Sequence, residues 1–146
     1  MSMPQNIHIT ADAIIFYKYN KMLKVLLIKR KNEPFKNRYA FPGGFVDNGE
    51  VVIEACQREL KEETGLKIDI DDLRFINYYD QPDRDPRGRT ITFAYAAIIA
   101  EEKLIKGSDD AETAEWVDIK DIKNLAFDHR AILKDALEVI NQLCPK

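Results

Sequence analysis

The sequence predicts an α/β protein in which a mixed β-sheet lies between two helices, in an α/β/α sandwich. Two segments, Val51–Thr64 and His129 to about Leu143, repeat apolar residues at helical spacing. Runs rich in β-branched and aromatic residues precede each of them, and Thr90–Ala100 is the clearest buried strand. This order of strands, helix, strands and helix favours one sheet with a helix on each face.

A hairpin is predicted near the start of the chain. Ile9–Tyr19 and Lys24–Arg30 are rich in β-branched, aromatic and aliphatic residues, as strands are, and Asn20 lies at the centre of the turn between them. Two prolines and two glycines interrupt the next stretch, Lys31–Gly44. That stretch is therefore predicted to be mostly loop.

The first predicted helix has an apolar face and an acidic face. Ile53, Cys56 and Leu60 recur at helical spacing on the apolar face, which indicates that it is buried. Gly65 suits the position just past the last helical residue, where the backbone often becomes left-handed.

The second half of the chain is predicted to add strands and the second helix. Leu66–Tyr79 contains extended segments, Asp80–Arg89 is a charged loop with prolines, and Ala114–Ile119 is a short strand. Asp128 is predicted to cap the second helix. The apolar stripe of that helix consists of Ile132, Leu133, Leu137 and Ile140.

Composition limits the class of protein. The 146 residues suit one domain spanning 1–146, and the formal net charge of −3 argues against a basic nucleic-acid-binding surface. Cys56 and Cys144 have neither zinc-type spacing nor a disulfide pattern, which favours a reducing, cytoplasmic location. The N-terminus does not have the pattern of a signal peptide. The longest apolar run, Ala94–Ala100, is too short to cross a membrane.

Three carboxylates cluster on the first predicted helix. Glu59, Glu62 and Glu63 are spaced i, i+3 and i+4, which brings like charges together on one side of a helix. A solvated charged face is the common explanation of such a run. However, Lys61 is the one lysine among them, and an oxygen-rich cluster suits a hard cation such as Mg²⁺ or Mn²⁺. Glycines just before the helix would let the backbone approach a ligand closely.

The segment Gly44–Leu66, "GFVDNGEVVIEACQRELKEETGL", resembles the signature of the Nudix hydrolases. That pattern is Gly, five residues, Glu, seven residues, Arg-Glu, an apolar residue, any residue, Glu-Glu, any residue, Gly and an apolar residue. Every specified position is matched, by Gly44, Glu50, Arg58, Glu59, Leu60, Glu62, Glu63, Gly65 and Leu66. The predicted order of strands and helices also agrees with the Nudix fold.

The resemblance implies metal-dependent hydrolysis of a nucleoside diphosphate linked to another moiety. It makes Glu59 and Glu63 the leading ligands of Mg²⁺ or Mn²⁺, followed by Glu62, with the backbone carbonyl of Gly43 as a further ligand. Arg58 would orient these carboxylates through a salt bridge, with Glu50 or Glu62 as the expected partner. A purely structural ion pair is the alternative role of that arginine.

Three further stretches resemble the ADP-ribose pyrophosphatase branch of the family. They are the sequence before the signature, Pro34–Glu50, the "RDPRG" loop within Tyr78–Thr90, and the C-terminal Leu125–Leu133. That branch carries a proline about sixteen residues after the signature, and Pro82 lies sixteen residues beyond Leu66. The implied reaction is ADP-ribose plus water to AMP plus ribose 5-phosphate.

This reaction calls for groups that bind the diphosphate and the base. Arg84, Arg87 and Arg38 are candidates for the diphosphate, because a guanidinium matches phosphate oxygens. Adenine needs a stacking surface, for which the candidates are Tyr39, Phe35 and Phe127. Each of these side chains also has a structural alternative, since charged loops are commonly solvated and aromatic residues commonly belong to the core.

The resemblance also implies a general base from a loop late in the fold, which in this chain corresponds to Gly107–Trp116. Its acidic residues are Asp109, Asp110, Glu112 and Glu115, of which we favour Glu112 because it lies mid-loop. His129 follows the predicted helix cap and is expected to be structural or to face the adenine.

Other functions remain open at this point. The chain could hydrolyse a nucleotide sugar, a dinucleoside polyphosphate or an oxidised nucleoside triphosphate, or it could be a non-catalytic ADP-ribose sensor. The intact signature favours an enzyme over a sensor. A small-molecule nucleotide is the expected partner, with neither nucleic acid nor membrane, and relatives in this branch make a homodimer possible.

Overall fold

The structure, a computed structural model, describes residues 3–100 and 111–143, and the side chains of the second range from 113 to 142. These residues form seven strands and two α-helices, in the order four strands, a helix, three strands and a helix. The strands are β1 (His8–Tyr19), β2 (Met22–Arg30), β3 (Tyr39–Ala40), β4 (Gly43–Phe45), β5 (Arg74–Tyr79), β6 (Thr90–Ile99) and β7 (Ala111–Asp118), and the helices are α1 (Val52–Thr64) and α2 (His129–Leu143).

The strands form one mixed sheet around β1. β1 runs parallel to β6 along one edge, and the other pairs of neighbouring strands are antiparallel. The spatial order is β3-β2-β1-β6-β5, with β4 paired to β1 and β7 to β2. A parallel pair needs a long crossover connection, and the chain between β1 and β6 supplies it with α1 inside it.

The sheet forks where β1 and β2 diverge. On the edge of β1 away from β6, residues 10–12 pair with β4 and residues 16–19 pair with β2. The far end of β2 pairs with β3 instead, at Ile28 and Lys29. The short strands β3 and β4 therefore fill the fork, which places Gly43 opposite Asp12.

The alternation of side chains along β1 builds a core on each face of the sheet. Ala13 and Ile15 point to the α1 side, where they share a buried cluster with Leu60. Ile14 and Phe16 point to the α2 side, where their cluster includes Ile132, Leu133, Ala136 and Ile140. The predicted sandwich of two helices around a mixed sheet is confirmed.

Local differences from the predictions arise from tertiary pairing. The predicted loop Lys31–Gly44 contains β3 and the start of β4, whose residues extend because they pair with β2 and β1. The strand predicted over Ala114–Ile119 begins earlier, at Ala111, because it follows β2 along its length. Asp128 directly precedes α2, where a cap was predicted. Its backbone carbonyl accepts from the N–H of Ala131, whereas its carboxylate accepts from the guanidinium of Arg84.

No helix among the described residues is long and apolar enough to cross a membrane.

The α1 face of the core yields a prediction about stability. Leu60 is fully buried, and truncating a buried leucine to alanine costs about 2–5 kcal/mol. We expect Leu60→Ala to lower the free energy of unfolding by that amount in urea titrations. Lys61→Ala, on the exposed side of the same helix, is the matched control. A loss below about 1 kcal/mol in Leu60→Ala would contradict this account of α1 packing.

Candidate functional site

A cavity of about 440 Å³ opens at the fork in the sheet. Its walls come from β1 and β2, the β3–β4 segment, α1, the loop between β5 and β6, and the start of α2. Side chains distant in the sequence, such as Asp12, Glu63 and His129, therefore line one space.

Two carboxylates from α1 define one end of the cavity. Glu59 and Glu63 are one helical turn apart, and both line the cavity. The backbone N–H of Gly43 donates to Glu63 Oε1 at 2.7 Å, and Glu63 is 4% exposed. A Cβ atom on Gly44 would lie 2.5 Å from the carboxyl carbon of Glu59, so only glycine fits there without a shift. The glycine pair lets β4 approach the α1 carboxylates closely.

Arg58 connects the acidic residues of the signature. Its Nε and Nη2 donate to the two carboxylate oxygens of Glu50, at 2.7 and 3.0 Å, and Nη2 also donates to the carbonyl of Phe45 at 3.0 Å. Its Nη1 donates to Glu59 and Glu62, at 2.8 and 2.9 Å. These bonds, with Glu50 first, raise the pKa of Arg58, and the bond from Arg58 lowers the pKa of Glu50. Arg58 thus holds Glu59 in place and offsets the repulsion among the carboxylates.

Glu62 lies apart from the other two glutamates. Its side chain is 53% exposed, pairs with Arg58 and does not line the cavity. The structure therefore brings Glu59 and Glu63 together at the cavity but leaves the third predicted ligand at its rim.

The donors at this end of the cavity fit a hard divalent cation. They are carboxylate oxygens, and because Gly44 has no Cβ, the carboxylate of Glu59 lies directly against the β4 backbone at the cavity wall. Within residues 3–100 and 113–142, no three His, Cys, Asp or Glu side chains form a ready-made metal site. Proteins commonly hold Mg²⁺ through one or two carboxylates together with substrate phosphates.

Two predicted substrate arginines line the cavity but are already paired with carboxylates. Arg84, whose side chain is 4% exposed, donates to both oxygens of Asp128 at 2.8 and 2.7 Å. Burial acts to lower the pKa of Arg84, but Asp128 outweighs it and the pKa rises. Arg87 donates to both oxygens of Asp85 at 3.0 and 2.8 Å. Burial acts to raise the pKa of Asp85, and the bonds from Arg87 reverse that shift.

The other two predicted substrate residues do not line the cavity. The guanidinium of Arg38 lies over the ring of Phe35, 5.5 Å from its centroid. Tyr39 donates its hydroxyl to Glu115 at 2.6 Å, which raises the pKa of Tyr39. Both contacts are structural interactions of the β3 segment.

Arg30 is a cavity residue that the sequence did not single out. Its Nε donates to the carbonyl of Pro34 at 2.7 Å, and its guanidinium carbon lies 5.0 Å from the centroid of the Phe127 ring. Among the described residues, no carboxylate lies within salt-bridge distance of it. Burial, then the nearby charge of Arg87, lower the pKa of Arg30. In the sequence, Arg30 is marked only by its position at the end of a predicted strand. Basic residues are common there, so the position does not indicate a functional role.

The ring of Phe127 forms the floor beneath two of these cations. It lines the cavity, packs edge-on against Phe35 at 4.8 Å, and lies 5.6 Å from the guanidinium carbon of Arg87. The backbone of Phe127 has a φ of +53°, which is rare for a bulky residue. The neighbouring Ala126 N–H donates to the carbonyl of Tyr39 at 2.8 Å and anchors this turn.

A pair of buried side chains joins β1 to α2, of which the sequence singled out His129 but not Asp12. Asp12, which is 7% exposed, accepts from the Thr92 hydroxyl at 2.6 Å, and its Oδ2 lies 3.8 Å from His129 Nε2. The backbone N–H of Phe41 donates to His129 Nδ1 at 3.1 Å. Burial lowers the pKa of His129, so its neutral form is favoured. Asp12 stands in an apolar strand, and nothing in the local pattern distinguished it.

The predicted general base is only partly described. Glu112 lies at the start of β7 rather than mid-loop, and its side chain lies outside the described residues. Asp109 and Asp110 lie outside them altogether.

Sequence comparison identifies relatives along most of the chain. The family model described as NUDIX domain matches residues 8–136. An ADP-ribose pyrophosphatase of Methanocaldococcus jannaschii is 47% identical over 127 residues, which are 87% of this chain and 71% of that protein. The ADPR responsive transcriptional repressor NtrR of Acinetobacter baylyi is 35% identical, over 90% of this chain and 54% of the repressor.

Solved structures share the fold. The NUDIX domain of Shewanella oneidensis NrtR complexed with ADP ribose has a TM-score of 0.85 at 28% identity, covering 93% of this chain and 90% of that one. A bifunctional NMN adenylyltransferase/ADP ribose pyrophosphatase of Francisella tularensis, complexed with AMP and a manganese ion, has a TM-score of 0.81 at 29% identity, covering 94% and 43%. This chain thus spans about half or less of the repressor and of the bifunctional enzyme. With the family model, these matches confirm the prediction from Gly44–Leu66: the chain belongs to the NUDIX family.

Proposed function

We propose that the protein is a metal-dependent Nudix pyrophosphohydrolase that converts ADP-ribose and water to AMP and ribose 5-phosphate. The observation that carries this proposal is the composition of the cavity. The carboxylates of Glu59 and Glu63 face a space whose other walls hold Arg30 and the ring of Phe127. Its volume of about 440 Å³ lies in the range of small-molecule sites.

Each part of the cavity suits one part of such a substrate. Glu59 and Glu63, with the carbonyl of Gly43, would hold Mg²⁺ or Mn²⁺. When bound, a divalent cation neutralises charge on the diphosphate oxygens and polarises the phosphorus. Arg30 supplies a guanidinium for a phosphate, and Phe127 supplies an apolar ring for the base.

The three arginines that line the cavity in the described part of the chain differ in whether a carboxylate already accepts from their N–H groups. Arg84 and Arg87 present charge to the cavity while their donor pairs are engaged by Asp128 and Asp85. Arg30 has its Nε anchored on Pro34 and no carboxylate partner among the described residues. We therefore infer that Arg30 makes the direct phosphate contact and that the other two act through their charge.

The named relatives support ADP-ribose over other nucleotides. Their printed functions and ligands include ADP-ribose pyrophosphatase activity, ADPR response and bound ADP ribose. The repressor among them makes a non-catalytic sensor the second candidate. The cavity favours the enzyme, because Glu59 and Glu63 are both present and both reach it.

Several parts of this proposal come from the family resemblance. They are Glu112 as general base and Glu62 as a further metal ligand, while Arg38 and Tyr39 as substrate contacts come from the chemistry that the diphosphate and the adenine require. A cytoplasmic location, a possible homodimer and the lack of a nucleic-acid partner likewise stay predictions.

A substrate screen tests the activity. ADP-ribose, NADH, a nucleotide sugar, a dinucleoside polyphosphate and an oxidised nucleoside triphosphate would be compared with Mg²⁺ at equal concentration. We expect ADP-ribose to lead in kcat/KM by about tenfold or more, which is about 1.4 kcal/mol of transition-state preference. A different leader would refute the substrate, and binding without turnover would favour the sensor.

Glu63→Gln tests the carboxylate end of the cavity. The amide oxygen can still accept from Gly43 N–H, so we expect an unchanged melting temperature. Turnover should fall by about 100-fold or more, because a charged oxygen donor is lost. Glu138→Gln, on the exposed side of α2, is the matched control. Wild-type turnover by folded Glu63→Gln would falsify the assignment.

Arg30→Ala tests the proposed phosphate contact. We expect KM for ADP-ribose to rise by about tenfold or more, since a charge-assisted bond is removed. Arg30→Lys should recover part of the loss, because it keeps the charge but not the planar guanidinium. Arg74→Ala removes an exposed arginine on β5 and serves as the control. An unchanged KM in Arg30→Ala would show that this arginine only supports Phe127.

A further inference from the structure

We propose that Asp12 and His129 together bind one ribose hydroxyl of the substrate. This inference rests on the proposed function and adds a recognition site for the sugar to those for the diphosphate and the base. The pair lies in the wall of the cavity formed by β1 and the start of α2.

The two side chains present one hydrogen-bond acceptor and one donor to the cavity. Asp12 accepts from Thr92 through Oδ2, and no group in the described part of the chain donates to its Oδ1. His129 Nε2 likewise has no hydrogen-bond partner there, since it lies 3.8 Å from Asp12 Oδ2. Both residues line the cavity, and 10% of the Asp12 side chain and 4% of the His129 side chain are exposed. The pair therefore lies at the cavity wall with one acceptor and one donor available to a ligand.

Contacts on the other side of the imidazole determine which nitrogen carries the proton. Because Phe41 N–H donates to Nδ1, a neutral His129 carries its proton on Nε2, which faces Asp12. The ring is stacked against Phe41, with centroids 5.1 Å apart, and lies 5.5 Å from the ring of Phe127. The donor is thus fixed before a ligand arrives, which reduces the entropy lost on binding.

A hydroxyl group matches this pair better than a phosphate does. A hydroxyl can donate to the Asp12 carboxylate and accept from His129 at the same time, because Nε2 lies only 3.8 Å from Oδ2 and one oxygen beside the pair can be about 2.8 Å from both groups. A phosphate oxygen only accepts, and the charge of Asp12 would repel it. Thr10 and Thr90 line the same wall and add neutral hydroxyls rather than charges.

The position of the pair agrees with a sugar joined to the diphosphate. Asp12 lies opposite Gly43 in the β1–β4 pairing, and Gly43 N–H donates to Glu63. Arg84 also lies near Asp12. Burial and Asp128 have the largest effects on the pKa of Arg84, and the charge of Asp12 then contributes to raising it. A group bound by Asp12 and His129 therefore lies between the carboxylate end of the cavity and the arginine side.

Analogues that lack single hydroxyls test the inference. ADP-ribose would be compared with its 2′-deoxy and 3′-deoxy forms on either ribose, by kcat/KM where a compound is hydrolysed and by calorimetric Kd where it is not. We expect wild type to disfavour one of these analogues by about tenfold or more. Asp12→Asn and His129→Asn should reduce that discrimination to about twofold while weakening ADP-ribose itself. In His129→Asn the amide oxygen can still accept from Phe41 N–H, so this variant removes the donor to the ligand, whereas Asp12→Asn removes the charge and replaces one acceptor oxygen with an NH2 group.

The control is Asp72→Asn, which changes an exposed carboxylate outside the cavity and should leave every ratio unchanged. If kcat/KM or Kd of wild type is the same for all the analogues, the inference is overturned. It is also overturned if Asp12→Asn weakens the binding of every compound by one common factor, because the pair is then structural. The proposed function fails by a different result, the absence of ADP-ribose turnover in wild type, and the affinity ratios can be measured in that case too.

Discussion

The close approach of α1 to β4 is the constraint on which the site depends. Gly43 and Gly44 have no side chains, so the β4 backbone lies directly against the carboxylates of Glu59 and Glu63. A Cβ on Gly43 would lie 2.3 Å from the carbonyl of Ala11, so the same glycine also permits the pairing with β1. This contact therefore places both glutamates beside β4 at the fork in the sheet, where the cavity opens.

Gathering so many carboxylates requires compensation within the protein, and Arg58 provides much of it. One guanidinium donates to Glu50, Glu59 and Glu62, so negative charge is offset at the rim while Glu63 remains inside. In the cavity wall, carboxylates compensate arginines instead. Asp128 accepts from Arg84 and Asp85 accepts from Arg87, which offsets the positive charge of these side chains. The protein can therefore hold opposite charges in one cavity before any substrate binds.

The parts of this molecule that depend on local pattern could be predicted from its sequence. The helical spacing of Ile53, Cys56 and Leu60 and the β-branched and aromatic run over Ile9–Tyr19 are local properties, and both led to correct elements. Roles that depend on tertiary contacts were harder to predict. The pairing of Arg84 with Asp128, 44 residues away, could not be predicted from the loop that carries the arginine, and it engages Nε and Nη2 of that side chain. Asp12 and Arg30 lie in ordinary strands, and only the fork in the sheet gives them a shared cavity.

The chemistry of the cavity walls suggests how one fold can distinguish among nucleotides. A cation at Glu59 and Glu63, or a guanidinium at Arg30, would attract any diphosphate, so these groups give affinity without much selectivity. In the proposed binding mode Asp12 would oppose that attraction locally, because its carboxylate would repel a phosphate from its part of the wall. The same wall would accept a neutral sugar hydroxyl and disfavour a chain of phosphates that extends across the cavity. Discrimination between a sugar-linked diphosphate and a triphosphate would then depend on where negative charge is tolerated, rather than on the number of cations.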